Sequence, residues 1–223
     1  MAEQSPGIAK YRDRNIHLFD SLFCHKFVIG GIMQKAGIPT YGIPTIYKNY
    51  KFRSRLEAKW AMFFDLLGWK YEYEPCDLKG WIPDFVLIGA KTNTLVEIKP
   101  FTKYEDFDVD KLKQSLIKTE LESSEILLLG LRPLIELIIG EDIIAPHLGW
   151  ILEPWTYDGN IKYIDSACVF NYYDKKWGFW SQYGSWVDRI TGLHDGDHLL
   201  EIPNHDAIQS LWARAVNISQ WNA

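Results

Sequence analysis

The chain has 223 residues, 47% of them hydrophobic, and a formal net charge of −5; that is enough apolar content to bury one sizeable core. No apolar run approaches the ~20 residues needed to span a bilayer, and the opening MAEQSPGIAKYRDRN lacks the apolar centre of a signal peptide, so the expectation is a cytoplasmic protein with no membrane partner. The acidic balance excludes binding to nucleic acid through net charge alone.

Residues 1–45 carry few signals; Gly and Pro punctuate GGIMQKAGIPTYGIPT, which reads as turns and extended chain, an N-terminal extension. A basic strip follows, with Lys48, Lys51, Arg53, Arg55 and Lys59 against one acid, Glu57. Charge acts over about a Debye length, so such a strip matters even on an acidic protein. The first predicted helix spans 54–67, with an apolar stripe at Leu56, Trp60, Phe63, Phe64 and Leu67 and Gly68 as its stop. WKYEYEP then alternates, Trp69, Tyr71 and Tyr73 on one face and Lys70, Glu72 and Glu74 on the other, a strand with one wet face.

Two more strands are predicted over 82–88 and 95–98, joined by GAKTNT, whose composition suits a hairpin turn. A helix over 107–121, with Val109, Leu112, Leu116 and Ile117 as its stripe, leads into EILLLG, which reads as a strand covered on both faces. Helix, three strands, helix, strand implies an α/β class with a mixed sheet flanked by helices, and 46–145 is taken as the core. From residue 146 the composition becomes aromatic, with Trp150, Trp155, Trp177, Trp180 and Trp186 among short alternating runs. This C-terminal extension, 146–223, is expected to contain β-ribbon and to close with a helix over 207–221. Cys24, Cys76 and Cys168 fit neither a zinc site nor a disulfide framework and are expected as buried free thiols.

Side chains alternate along a strand, so Glu97 and Lys99 share a face. If 82–88 and 95–98 pair as an antiparallel hairpin, Asp84 at the start of one strand lies beside Glu97 and Lys99 at the end of the other. Converging carboxylates repel unless something positive lies between them, and a hard divalent cation such as Mg²⁺ suits two carboxylates plus waters and phosphate oxygens. A lysine beside that ion can orient or deprotonate water or offset charge on a phosphate. These are the parts for hydrolysing a phosphodiester.

Pro83-Asp84 and Glu97-Ile98-Lys99 resemble the PD-(D/E)XK nuclease superfamily, and FRSRLEAKWAMFFDLLGWKYEYEP is similar to a phage- and prophage-encoded subgroup of it. The resemblance covers about Phe52 to Gly130, with a fainter echo in IQSLWARAV. It implies a restriction-endonuclease-like mixed sheet, a Mg²⁺ or Mn²⁺ cofactor, DNA as partner, a phage or mobile-element origin and cleavage leaving 5′-phosphate ends. It further implies Asp84 and Glu97 as metal ligands, the Ile98 carbonyl as a third, Lys99 serving the attacking water and Glu57 assisting. Endonuclease, junction resolvase (which would act as a homodimer) and transposition nickase remain open, and so does a catalytically silent module with the same fold.

Each assignment has a rival. Ser54-Arg55-Leu56-Glu57 also fits a capping box, and Asp84, Glu97 and Lys99 also fit a turn residue with a cross-strand ion pair. Lys51, Arg53 and Arg55 are candidates for DNA phosphate contacts, which position without reading sequence; Lys111, Gln114 and Lys118 are candidates for lining the site. Gln114 is followed four residues on by Lys118 rather than tyrosine, so the RecB-like branch is not assigned. HDGDH (His194, Asp195, Asp197, His198) reads either as a metal site or as a polar loop, and the tryptophan-rich segment either stacks bases or fills a core or an interface.

Overall fold

A computed structural model describes residues 42–134, 138–139, 142–143, 146–155, 161–172, 176–182, 184, 187–194, 200–201 and 205–221. The reading of residues 1–41 lies outside them.

Strands β1 (Thr45–Tyr47) and β2 (Tyr50–Phe52) form a hairpin that the glycine and proline pattern did not mark. Its turn uses Lys48 in the left-handed region, φ 51°. Ser54 follows with extended backbone, and its hydroxyl accepts the Glu57 N–H at 3.1 Å. It therefore caps helix α1 (Arg55–Leu67) rather than joining it. Gly68, at φ 75°, ends the helix: its N–H returns to the Asp65 carbonyl and the Trp69 N–H to that of Phe64.

Strands β3 (Tyr71–Tyr73), β4 (Phe85–Leu87) and β5 (Thr94–Ile98) form an antiparallel meander. β4 is shorter than the predicted 82–88 because Pro83 has no N–H to donate and Ile82 is exposed. Helix α2 (Val109–Lys118) crosses to β6 (Ile126–Leu129), which runs parallel to β5, as a parallel pair requires. Asp108 caps α2 by accepting the Lys111 N–H at 3.1 Å, so the helix starts later than predicted. Ile117 is 58% exposed and is not part of the stripe.

The chain beyond residue 146 continues the same sheet. β9 (His147–Trp155) pairs with β6, β10 (Ile161–Tyr172) with β9, and β11 (Trp177–Ser181) with β10. The eight-stranded sheet has the order β11-β10-β9-β6-β5-β4-β3, with β12 (Leu200–Glu201) added to β10; β7 (Ile138–Ile139) and β8 (Asp142–Ile143) pair separately. The architecture is mixed α/β with a mostly antiparallel sheet, β5–β6 being the parallel pair among the described strands.

Helix α1 and helix α3 (His205–Trp221) pack on one face, where Trp60 and Trp212 lie 4.7 Å apart over Val96, Ile98, Leu127 and Leu129. Helix α2 covers the other face through Leu112 and Leu116 against Leu95, Ile126 and Leu128. β6 is buried on both sides, as its unbroken apolar run predicts. Phe179 and Trp180 are buried, so these two C-terminal aromatics serve the core; the Trp155 side chain and Trp186 lie outside the described residues. Cys168 is buried as expected, but Cys76, in the loop after Pro75, is exposed. Cys24 is not among the described residues. No helix among the described residues is long and apolar enough to cross a membrane.

Candidate active site

The register of β4 on β5, Phe85 opposite Val96 and Leu87 opposite Thr94, carries Asp84 to the end of the hairpin where Glu97 lies. Both side chains share the parity of Val86 and Leu95 and so belong to the α2 face of the sheet. They are buried, Asp84 at 1% and Glu97 at 7% exposure.

The Lys99 ammonium lies among three oxygens. It is 2.5 Å from Glu97 Oε1, 3.2 Å from the Ile98 carbonyl and 3.7 Å from Asp84 Oδ2. The three predicted site residues therefore converge, and the Ile98 carbonyl converges with them. Other donors also hold the two carboxylates. Trp81 Nε1 donates to Glu97 Oε2 at 2.7 Å, the Ile98 N–H donates to Asp84 Oδ2 at 2.7 Å, and Arg53 Nη2 donates to Asp84 Oδ1 at 2.8 Å. Arg53 Nε is in turn 2.5 Å from Glu74.

Burial pushes the Asp84 carboxyl up to about 7; the Lys99 charge pulls it down, while Glu97 and Glu57 push it further up. For Lys99, burial works against the ammonium, but Asp84 and Glu97 outweigh it and the pKa is raised. Lys99 is accordingly a firmly held cation in this arrangement rather than a ready base.

Glu57 stands outside the cluster. Its Oε1 accepts the Ser54 hydroxyl at 2.8 Å, and its Oε2 accepts the Tyr73 hydroxyl at 2.7 Å and the Arg53 N–H at 3.1 Å. With the Glu57 N–H donated to the Ser54 hydroxyl, this makes the N-cap half of a capping box, but the carboxylate takes the Ser54 hydroxyl and the Arg53 N–H in place of the Ser54 N–H. Burial pushes the Tyr73 phenol up, so it stays protonated and donates.

The basic candidates divide. Arg53 is engaged by Asp84 and Glu74, and its N–H also meets the Tyr73 oxygen. Arg55 is half-buried and its Nε has no hydrogen-bond partner. Lys51 and Lys118 are exposed, and the Lys118 carbonyl accepts the Lys79 ammonium at 2.8 Å. Lys111 lines a cavity of about 170 Å³ together with Trp81, Glu97, Lys99, Asp106 and Asp108, whereas Gln114 and Lys118 do not. His194 is exposed and bridges to Val187; Asp195, Asp197 and His198 lie outside the described residues.

Two participants were not expected as site residues. Trp81 lies two residues before Pro83, and Tyr73 is the last residue of the alternating strand; the aromatic composition of both stretches was visible, but their hydroxyl and indole partners were not. Among the described residues, no group of three or more His, Cys, Asp and Glu side chains could hold a metal ion. The donor set that does converge is two carboxylates and one main-chain carbonyl around a single cationic point. Such all-oxygen ligation fits a hard divalent cation that retains waters, not zinc. No protein family, curated protein or solved structure matches this chain.

Proposed function

We propose that this chain is a Mg²⁺- or Mn²⁺-dependent DNA endonuclease with a restriction-endonuclease-like core. The observation that carries the reading is the convergence of Asp84 Oδ2, Glu97 Oε1 and the Ile98 carbonyl on the Lys99 ammonium. In this reading those three oxygens hold the ion. When bound, it would lower the pKa of a water from ~15.7 toward neutrality and polarise a phosphoryl oxygen.

The surrounding residues aim the ligands. Arg53 on Oδ1 leaves Asp84 Oδ2 turned to the site, and Trp81 on Oε2 leaves Glu97 Oε1 turned to it. Lys99 orients the attacking water and offsets charge that builds on the phosphate, a role that suits its raised pKa better than proton removal does. Lys111, in the wall of the same cavity, would meet a neighbouring phosphate of the strand. Water attacks phosphorus in line and gives up its proton to solvent, the bond to the 3′ oxygen breaks, that oxygen takes a proton from solvent to become a 3′ hydroxyl, and the other fragment keeps the 5′ phosphate.

The test is cleavage of supercoiled, linear, single-stranded and four-way-junction DNA with Mg²⁺ or Mn²⁺, with Asp84→Ala as control. Cleavage lost in the control supports the reading; a folded protein that cuts none of these substrates overturns it. Preference for the junction, together with dimerisation, would mark a resolvase.

A second reading is a non-catalytic module that binds nucleic acid or a protein. It is favoured by the fact that Arg53 and Lys99 both supply charge to the buried acids from within the chain. Calorimetric titration of Mn²⁺ into the native chain and Asp84→Ala separates the two, because only the first reading expects binding that Asp84→Ala loses.

A further inference from the structure

Two buried carboxylates at one sheet end repel each other, and the Lys99 ammonium sits against both of them. It is 2.5 Å from Glu97 Oε1, 3.2 Å from the Ile98 carbonyl and 3.7 Å from Asp84 Oδ2. A magnesium ion would sit about 2.1 Å from the same oxygens. The two cations would therefore occupy nearly the same space, where like charge also keeps them apart.

We propose that Lys99 and a divalent cation are alternative occupants of this point, so that ion entry drives the Lys99 side chain out and ion loss lets it return. The inference rests on reading Asp84, Glu97 and Ile98 as the ion-holding set, and it adds an exchange step to that reading. The movement belongs to the side chain alone. The Lys99 N–H is held by the Leu129 carbonyl at 3.0 Å, and Pro100 restricts the Lys99 backbone before it.

The flexible stem has somewhere to go. The Lys99 side chain is 40% exposed, and the adjoining cavity of about 170 Å³ has Asp106 and Asp108 in its wall. An ammonium moved there stays beside the reacting phosphate with carboxylates to receive it. The rest of the site stays in place during the exchange: Asp84 keeps Arg53 on Oδ1 and the Ile98 N–H on Oδ2, and Glu97 keeps Trp81 on Oε2.

The test is calorimetric titration of Mn²⁺ into the full chain, Lys99→Met and Lys99→Gln, with thermal unfolding of each with and without Mn²⁺. Removing the internal competitor should tighten Mn²⁺ binding on the order of tenfold. It should also lower the metal-free Tm and enlarge the rise in Tm on Mn²⁺ addition. Native chain that binds Mn²⁺ while both variants bind it equally or more weakly overturns the exchange and leaves the ion-holding reading intact. Absence of binding to all three removes both.

A measurement on the unmodified protein guards against variants that do not fold. Acylation of amines followed by peptide mass mapping should label Lys99 faster with Mn²⁺ present, because the amine has moved from beside two buried carboxylates into the open cavity. Unchanged or slower labelling in a protein that binds Mn²⁺ overturns the exchange.

Discussion

Arg53 grips Asp84: its Nη2 lies 2.8 Å from Oδ1, while its Nε holds Glu74 at 2.5 Å. A guanidinium presents donors in a fixed fork, and here two edges are committed to carboxylates. In the nuclease reading this leaves Arg53 less to offer a DNA phosphate, whereas Lys111 is exposed in the wall of the cavity that Glu97 also lines. Each phosphate contact contributes roughly one to the slope of log affinity against log salt. Arg53→Ala is expected to leave that slope unchanged and Lys111→Ala to reduce it by about one, measured by DNA binding over a salt series with Ca²⁺ present. A reduced slope for Arg53→Ala would return it to the phosphate contacts.

Asp84 and His147 set opposing pH dependences. Asp84 rises by burial to about 7 in the folded chain, above the ~3.9 of an unfolded aspartate. A raised folded pKa gives stability that is full below the unfolded value and is lost as pH climbs through the folded one, so the metal-free protein loses this contribution between about pH 4 and 7. His147 falls by burial to about 4, below the ~6.5 of an unfolded histidine. Its contribution is full above the unfolded value and is lost as pH drops toward the folded one. The two slopes nearly cancel between about pH 4 and 6.5. Metal-free unfolding by denaturant across this range should show Asp84→Asn gaining stability as pH rises and His147→Leu losing it. Parallel pH profiles for the two variants would remove the assignment.

The parts of this site that could be read from sequence are those fixed by short-range periodicity. Alternation puts Glu97 and Lys99 on one face, and a hairpin brings Asp84 to them; the helix stripe from Leu56 to Leu67 and the Gly68 stop depend equally on neighbours. Trp81 reaches Glu97 across 16 positions and Arg53 reaches Asp84 across 31. Those contacts depend on how loops return, which no local pattern encodes. The aromatic run after residue 146 was ambiguous for a related reason. A strand rich in aromatics has the same composition whether it lines a core or stacks bases, and it is the chain of pairings from β6 through β9 and β10 to β11 that carries Phe179 and Trp180 to buried positions.

Arg189 ties the C-terminal strands to the core. It is 4% exposed, forms a two-pronged pair with Glu125 at 2.8 Å on each prong, and also meets Glu153 on β9. Glu125 immediately precedes β6, so this cation joins two neighbouring strands at one end. Removing one member of a buried ion network leaves the others charged without compensation, at a cost of about 3–5 kcal/mol. Arg189→Met should lose stability on that scale in equilibrium denaturant unfolding. A loss below about 1 kcal/mol, the range of exposed pairs, would mean that the network contributes little.

Glu57 offers the sharpest separation between a cap and a ligand. Ser54, Tyr73 and the Arg53 main chain use both of its oxygens, so little capacity remains for an ion. Its charge still reaches Asp84, pushing that carboxyl upward, and its hold on the Arg53 backbone steadies the residue that grips Asp84. Loss of a capping interaction costs about 1 kcal/mol. Glutamine keeps one of these oxygens but turns the other into an amide donor facing donors, so Glu57→Gln is expected to lose stability on that scale while Mn²⁺ affinity, measured by calorimetry, stays within about twofold of native. Tyr73→Phe should lose a comparable amount of stability, because it removes a donor to the same carboxylate. If Glu57→Gln instead weakened Mn²⁺ binding tenfold or more (~1.4 kcal/mol) with stability unchanged, the capping box would be incidental and Glu57 would belong with Asp84 and Glu97 as a ligand.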